Sequence, residues 1–386
     1  MQFTYHVPTK VLFGYGQLRN LHKEQLPGKK ALIVISKDNT MRQFGYLDRL
    51  TEQLDLAGVE YAVYDEIMPN PDLEQIDNGA AIGKANGCDF TIGLGGGSSM
   101  DASKAIAIML TNPGSYWDYM GSSMGGKKPL PNRPAPIVCV TTTAGTGSEV
   151  DAWVVVSNAK TNEKVAYGTE GVTHPVIAVV DPELMMSVPP RLTAYQGFDV
   201  FFHAAESVIS RVQHDVGEMF AMKAIEMVAK YLPTCVKDGS NKEAREKVAI
   251  ANSLASYIML TTSEHSMEHV LSAYHPTLAH GAGLLLICEA YFGFFIERHV
   301  CDDRFIKMAK IMGIDDADKA EDFLLALRKL KEECGVAELK MSDFGIEESE
   351  LEMFAENVQK MDPKDKADPL PLGPADFLEM YRKSFS

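Results

Sequence analysis

The stretch DFTIGLGGGSSMDASKAIAIM, residues 89–109, changes character halfway. Residues 90–94, FTIGL, are mostly apolar, short enough for a strand and suited to burial on both faces. From Ser98 onward the apolar residues continue as a helix. Between them stand Gly95, Gly96 and Gly97, which let a backbone approach a ligand closely, with Ser98 leading into the helix. The first helical N–H groups then face whatever lies at the helix N-terminus, where the dipole favours an anion. Asp101 is placed to cap or orient the first turn, and Lys104 lies one turn further in. A glycine turn that only tightens a strand–helix join is the plainer reading. Three glycines running through Ser into a helix favour a phosphate cradle. The stretch matches neither GxGxxG nor GxxxxGK[ST], so it is not an ordinary Rossmann fingerprint or P-loop.

Working outward, KALIVIS (30–36), EYAVYDE (60–66), PIVCVTT (136–142) and HPVIAVVDP (174–182) also read as strands. Helical patterns lie between several of them, at 41–58 and 72–87. Strand–helix alternation of this kind predicts a mainly parallel, Rossmann-like α/β sheet. A second loop, TTTAGTGSEV (141–150), follows a strand and offers hydroxyls and glycines. Two such loops at the carboxyl ends of strands are where open α/β sheets bind ligands, and together they point to a nucleotide.

After SVPP (187–190) the signals are helical throughout. The expected organisation is therefore an α/β dinucleotide-binding domain over 1–188 and an all-helical, metal-binding catalytic domain over 189–386. The active site is expected in the cleft between them. With 37 Lys and Arg against 53 Asp and Glu, the net charge of -16 argues against nucleic-acid or anionic-membrane partners. Six scattered cysteines without a CxxC pair suggest reduced thiols in the cytoplasm. No signal-peptide pattern opens the chain, and the apolar run 281–296 is too short for a membrane span and contains Glu289.

The helical half carries a second kind of signal. In GFDVFFHAAE, Asp199 and His203 are four apart, on one face of a helix and among phenylalanines. A carboxylate in such surroundings needs a partner, which a metal supplies. EHSMEHVLSAYHPTLAH (264–280) holds His265 and His269, again four apart, then His275 and, beyond Pro276, His280. Each pair alone is more often structural. One Asp with three His is a mixed O/N donor set suited to Fe²⁺ or Zn²⁺.

Taken in order, VLFGYGQL, GGGSSMDASK, TTAGTGSEV, VVDPELMMSVPP, DVFFHAAE and the histidine stretch resemble the iron-containing (group III) alcohol dehydrogenases nearly end to end. The resemblance implies a nicotinamide cofactor in the first half and a catalytic divalent metal in the second. It implies Asp199, His203, His265 and His280 as metal ligands, and His269 as a non-ligand histidine near substrate and nicotinamide. It also implies cofactor contacts at Gly96, Gly97, Ser98, Thr141, Thr142, Lys164 and Leu184. Ten residues separate His269 from His280 where the family has nine, so His269 stays open as an alternative ligand. Asp38 falls where NAD-preferring members carry Asp, which favours NAD(H). Lys37 and Thr40 point the other way, toward NADP(H), and a helix-capping role for Asp38 and Asn39 remains open. A homodimer or larger homo-oligomer is implied.

The expected activity interconverts a small primary alcohol or diol with its aldehyde by hydride transfer, with the substrate oxygen polarised by the metal and His269 or His275 relaying the proton. The alternatives are a metal- and NAD-dependent lyase resembling dehydroquinate synthase, which needs several cations about its site, a glycerol-dehydrogenase-like polyol oxidoreductase, and a nucleotide- and metal-binding sensor.

Overall fold

The computed structural model describes residues 2–121, 125–169, 171–364 and 366–385. The chain divides into two compact units, Thr4–Ser187 and Val188–Ser386, the latter including the first three residues.

The first unit contains, in order, β1 (Lys10–Phe13), β2 (Lys30–Ser36), α1 (Thr40–Gln43), α2 (Tyr46–Ala57), β3 (Glu60–Ile67), α3 (Leu73–Ala85), β4 (Phe90–Gly95), α4 (Gly97–Thr111), β5 (Ile137–Thr141), β6 (Val154–Asn158), β7 (Glu163–Tyr167) and β8 (Ile177–Val180). Six strands form one sheet in the order β1-β8-β5-β4-β2-β3, every pair parallel. The central strands β4 and β5 are buried along their whole length, as runs without polar alternation must be. From β2 the chain steps outward to β3, then returns to place β4 on the other side of β2. That reversal is a topological switch point, where α/β sheets open a crevice beyond the strand ends. Asp38 follows β2 there, and the glycines follow β4.

Two departures from the sequence reading concern local breaks. The helix expected over 41–58 is interrupted at Phe44–Gly45, giving α1 and α2. The antiparallel hairpin β6–β7 was not anticipated. Its strands are five residues each and lie outside the main sheet. Side chains of α4 hold it, as described below, and no local pattern announces that.

The second unit is helical among the described residues: α5 (Pro190–Ile209), α6 (Asp215–Lys237), α7 (Lys242–Ser256), α8 (Ser263–Tyr274), α9 (His280–Ile296), α10 (Asp302–Ile311), α11 (Glu321–Glu333), α12 (Leu351–Met361) and α13 (Pro374–Ser384). Pro190 opens α5 at the first helical position, where its missing N–H costs nothing. Phe198, Phe201, Phe202, Phe292 and Phe323 pack into one aromatic core. Helix α5 packs on α6, α7 and α9, and α8 on α9 and α12. Among the described residues no helix is long and apolar enough to cross a membrane.

Candidate metal centre

Asp199 and His203 lie in the buried middle of α5, His265 and His269 in α8, and His280 at the first position of α9. Tight helix packing brings them together. A Cβ on Gly281, next to His280, would sit 2.1 Å from the backbone oxygen of Tyr195 on α5. Glycine is what lets α9 start against α5.

The four groups converge on one atom. Asp199 Oδ1 is 3.6 Å from His203 Nδ1, 3.5 Å from His265 Nε2 and 3.5 Å from His280 Nε2. Two donors each about 2.1 Å from a tetrahedral ion stand about 3.4 Å apart. These spacings therefore suit a shared ion. Asp199 Oδ1 and His265 Nε2 are buried and make no hydrogen bond. An unsatisfied buried polar atom costs about 1–3 kcal/mol, more when charged, and a cation among the four would remove that cost. Oxygen and imidazole nitrogen are the donors a first-row divalent ion takes. Burial works against charge on Asp199, but the imidazoles of His203, His280 and His265 hold its carboxyl well below the usual range. Burial likewise opposes a charge on His265, yet Glu206 and Asp199 push it up to about 10. The centre of the cluster is built for positive charge.

The remaining histidines separate by geometry. His269 is buried beside the cluster, its ring 5.7 Å from that of His280. Its Nδ1 lies 3.7 Å from Asp362 Oδ2, and Asp362 is paired with Lys364 at 3.2 Å. The α8 nitrogen that faces Asp199 belongs to His265, not to His269. His275 turns elsewhere: its Nε2 stands 3.1 Å from both oxygens of Glu350 and its ring packs edge-on to Phe354. Three carboxylates passed unnoticed in the sequence. Glu206 on α5 meets His265 Nδ1, Glu268 on α8 meets His280 Nδ1, and Asp362 follows α12 toward His269. The signal for Glu206 was present, since it lies three residues after His203 and so shares its helix face.

In the first unit, Gly95 pairs with Thr141 across β4 and β5, so the two candidate cofactor loops start side by side. The N–H of Thr142 donates to the carbonyl of Gly95 at 2.9 Å. A Cβ on Gly97 would come within 2.6 Å of Thr146, so the loops touch where α4 begins. Gly96 is the N-cap of α4, with Ser98 in its first turn. Asp101 spends both carboxylate oxygens inside the unit, accepting from the Ser148 hydroxyl and the Val155 N–H. Lys104 is fully buried and donates to Asp151 Oδ1 at 3.0 Å and to the Trp153 carbonyl at 2.8 Å. The polar residues of this motif thus tie the second loop and the hairpin to α4. Lys164 is buried on β7, and the Leu184 side chain lies in the core beneath the sheet. Asp38 accepts from the Thr40 N–H at 3.0 Å and the Ser36 hydroxyl at 2.8 Å, a local turn just before α1, whose N-cap residue Asn39 makes no side-chain capping bond. Lys37 pairs with Glu66 at 2.7 Å.

A parallel sheet with ligand loops at a switch point, and a separate helical unit bearing an Asp/His₃ cluster, define a nucleotide- and metal-using class of protein. The chain belongs to the iron-containing alcohol dehydrogenase family: residues 8–182 match the family described as iron-containing alcohol dehydrogenase, and residues 193–385 match its C-terminal domain. It is similar to choline dehydrogenase of Bacillus subtilis (strain 168), at 31% identity covering 99% of this chain and 95% of the relative. It is similar also to the NAD-dependent methanol dehydrogenase of Bacillus methanolicus, at 30% identity covering 92% of each. A solved structure of a 1,3-propanediol oxidoreductase superposes with a TM-score of 0.91 at 30% identity, covering 100% of both chains.

Proposed function

We propose that this protein is a nicotinamide- and metal-dependent oxidoreductase that interconverts a small primary alcohol or diol with its aldehyde. The convergence of three imidazole nitrogens on the orphaned Oδ1 of Asp199 carries the reading. A divalent ion held by Asp199, His203, His265 and His280 supplies Lewis acidity toward an alcohol oxygen, and the nicotinamide supplies the hydride acceptor. The chain's own residues do the rest. Asp199 contributes the one anionic donor, and the buried surroundings of α5 keep bulk water away from it. His269 stands beside the ligand set with Asp362 facing its Nδ1, and holds the proton released from the alcohol. His275, bound to Glu350, is the less suited relay. Gly95, Gly96, Gly97 and Ser98 at the N-terminus of α4, with Thr141 and Thr142 beside them, hold the cofactor phosphates.

Asp38 at the end of β2 favours NAD(H), because a carboxylate accepts from ribose hydroxyls and repels a 2′-phosphate. The pairing of Lys37 with Glu66 supports this, since a neutralised cation offers less to a phosphate. The lyase alternative needs free cations about the ligands, and Lys364, which shares Asp362 with His269, is committed to that carboxylate. A methanol and a choline dehydrogenase among the relatives support alcohol chemistry over that alternative and leave substrate size open. The protein is read as a cytoplasmic homo-oligomer, a dimer or larger.

The test is the absorbance of reduced nicotinamide on metal-defined protein, with a panel of short alcohols and diols and with both cofactors. Alcohol-dependent reduction of NAD that disappears on chelation and returns with Fe²⁺ or Zn²⁺ is expected. Full activity after thorough chelation would refute the metal's role.

A further inference from the structure

Glu206 and Glu268 are fully buried, and a buried carboxylate is expensive unless it is bonded to something specific. Each is bonded through one oxygen to the Nδ1 of a histidine on a different helix: Glu206 of α5 to His265 of α8, and Glu268 of α8 to His280 of α9. The other oxygen of Glu206 accepts from the N–H and the hydroxyl of Thr262, the N-cap residue of α8, so this carboxylate is not free to rotate. An imidazole that ligates a metal is neutral, with one N–H and one lone pair. When Nδ1 donates to a carboxylate, the lone pair must lie on Nε2. In both rings Nε2 is the atom 3.5 Å from Asp199 Oδ1.

The other two histidines of the stretch lack this arrangement. His275 meets its carboxylate through Nε2, and His269 stands 3.7 Å from Asp362, beyond hydrogen-bond reach. Of the four histidines in the stretch, His265 and His280, whose Nε2 atoms face Asp199, are the two held at Nδ1 by a buried glutamate.

We infer that Glu206 and Glu268 are positioning residues that fix the Nδ1–H tautomer and ring orientation of His265 and His280, and so set how tightly this chain holds its metal. The arrangement runs as a chain through three helices, in which the acid on one helix orients the ligand on the next. It rests on the metal reading proposed above.

The experiment titrates Co²⁺ into metal-free wild type, Glu206→Gln and Glu268→Gln against a competing chelator, following the cobalt d–d absorption, with circular dichroism to confirm folding. Gln keeps the shape and removes the charge. Each variant is expected to bind Co²⁺ about 10–100-fold more weakly, with a shifted d–d band. Folded variants that bind within twofold of wild type overturn the inference. A second measurement needs no variant. In Zn²⁺-loaded, ¹⁵N-histidine-labelled wild type, His265 and His280 are expected as Nδ1–H tautomers, and an Nε2–H tautomer in either ring overturns it. A wild-type chain that takes up no Co²⁺ overturns the metal reading itself, and this inference falls with it.

Discussion

Gly281→Ala adds one methyl group and tests how the ligand set is assembled. The new Cβ would lie 2.1 Å from the Tyr195 oxygen, 2.6 Å from its carbonyl carbon and 3.1 Å from its Cα, all backbone atoms of α5. No rotamer change can relieve that contact. Ordinary contact begins near 3.4 Å, so α9 must retreat from α5 by about 1.3 Å. Overpacking on this scale costs about 1–3 kcal/mol. For a domain of roughly 200 residues that lowers Tm by about 2–4 °C per kcal/mol. His280 is the neighbouring residue, and its Nε2 moves with the helix while Asp199 stays on α5. A displacement of about 1 Å at a reacting site can cost on the order of 100-fold in rate. The expected outcome is a modest loss in Tm with a loss in kcat/KM of roughly that order and weaker metal retention. The control is Gly293→Ala on the same helix, where the Cβ would meet only Leu324 at 3.9 Å. Replacing that glycine gains up to about 1 kcal/mol in helix propensity and leaves the site alone. Calorimetry, metal analysis and steady-state kinetics read all three effects. A Gly281→Ala protein with wild-type Tm, metal content and kcat/KM would refute the argument that this close approach positions His280.

Three further outcomes are expected. Lys104→Met removes one partner of a buried ion pair and leaves Asp151 uncompensated, which should cost about 3–5 kcal/mol; hydrogen exchange should quicken in the 146–155 segment, and unchanged exchange there would show that Lys104 does not secure it. His174 accepts the Gly171 N–H at Nδ1, and burial, with Lys104 and His6 adding to it, lowers its pKa to about 4. The unfolded chain, with a pKa of about 6.5, binds that proton first, so this contribution to stability is complete above about 6.5 and is lost as pH falls toward 4. Urea unfolding from pH 7 to 4.5 should show a smaller acid loss in His174→Asn than in wild type, and parallel curves would contradict it. Asp38→Gly should raise the ratio of NADPH to NADH use by about tenfold, near 1.4 kcal/mol, by removing like-charge repulsion. A wild-type protein that already prefers NADPH would show that Asp38 does not read the ribose.

What the sequence determined by itself is local. The run from Phe90 through Gly97 into α4 could be read as strand, turn and helix because each element is specified by neighbours in the chain. Asp199 with His203, and His265 with His269, were legible as pairs because a spacing of four puts both members on one helix face. The change from alternating strands and helices to helices alone, after SVPP, follows from hydrophobic period and needs no tertiary information. What the spacing could not say is which member of the second pair faces Asp199. That depends on the rotation of α8 against α5, set by side-chain packing between helices some sixty residues apart, and it turns His265 inward. The same holds for Glu206 and Glu268, whose partners lie on other helices, and for His275, drawn aside by Glu350. From the sequence, Asp101 reads as capping or orienting the first turn after the glycine cradle, with Lys104 one turn further in. Only the fold reveals that the buried end of α4 needs them to satisfy a loop and a hairpin that arrive from some fifty residues downstream. Hydrogen bonds and packing that close over such distances carry no periodic trace in the chain, so only the tertiary structure decides them.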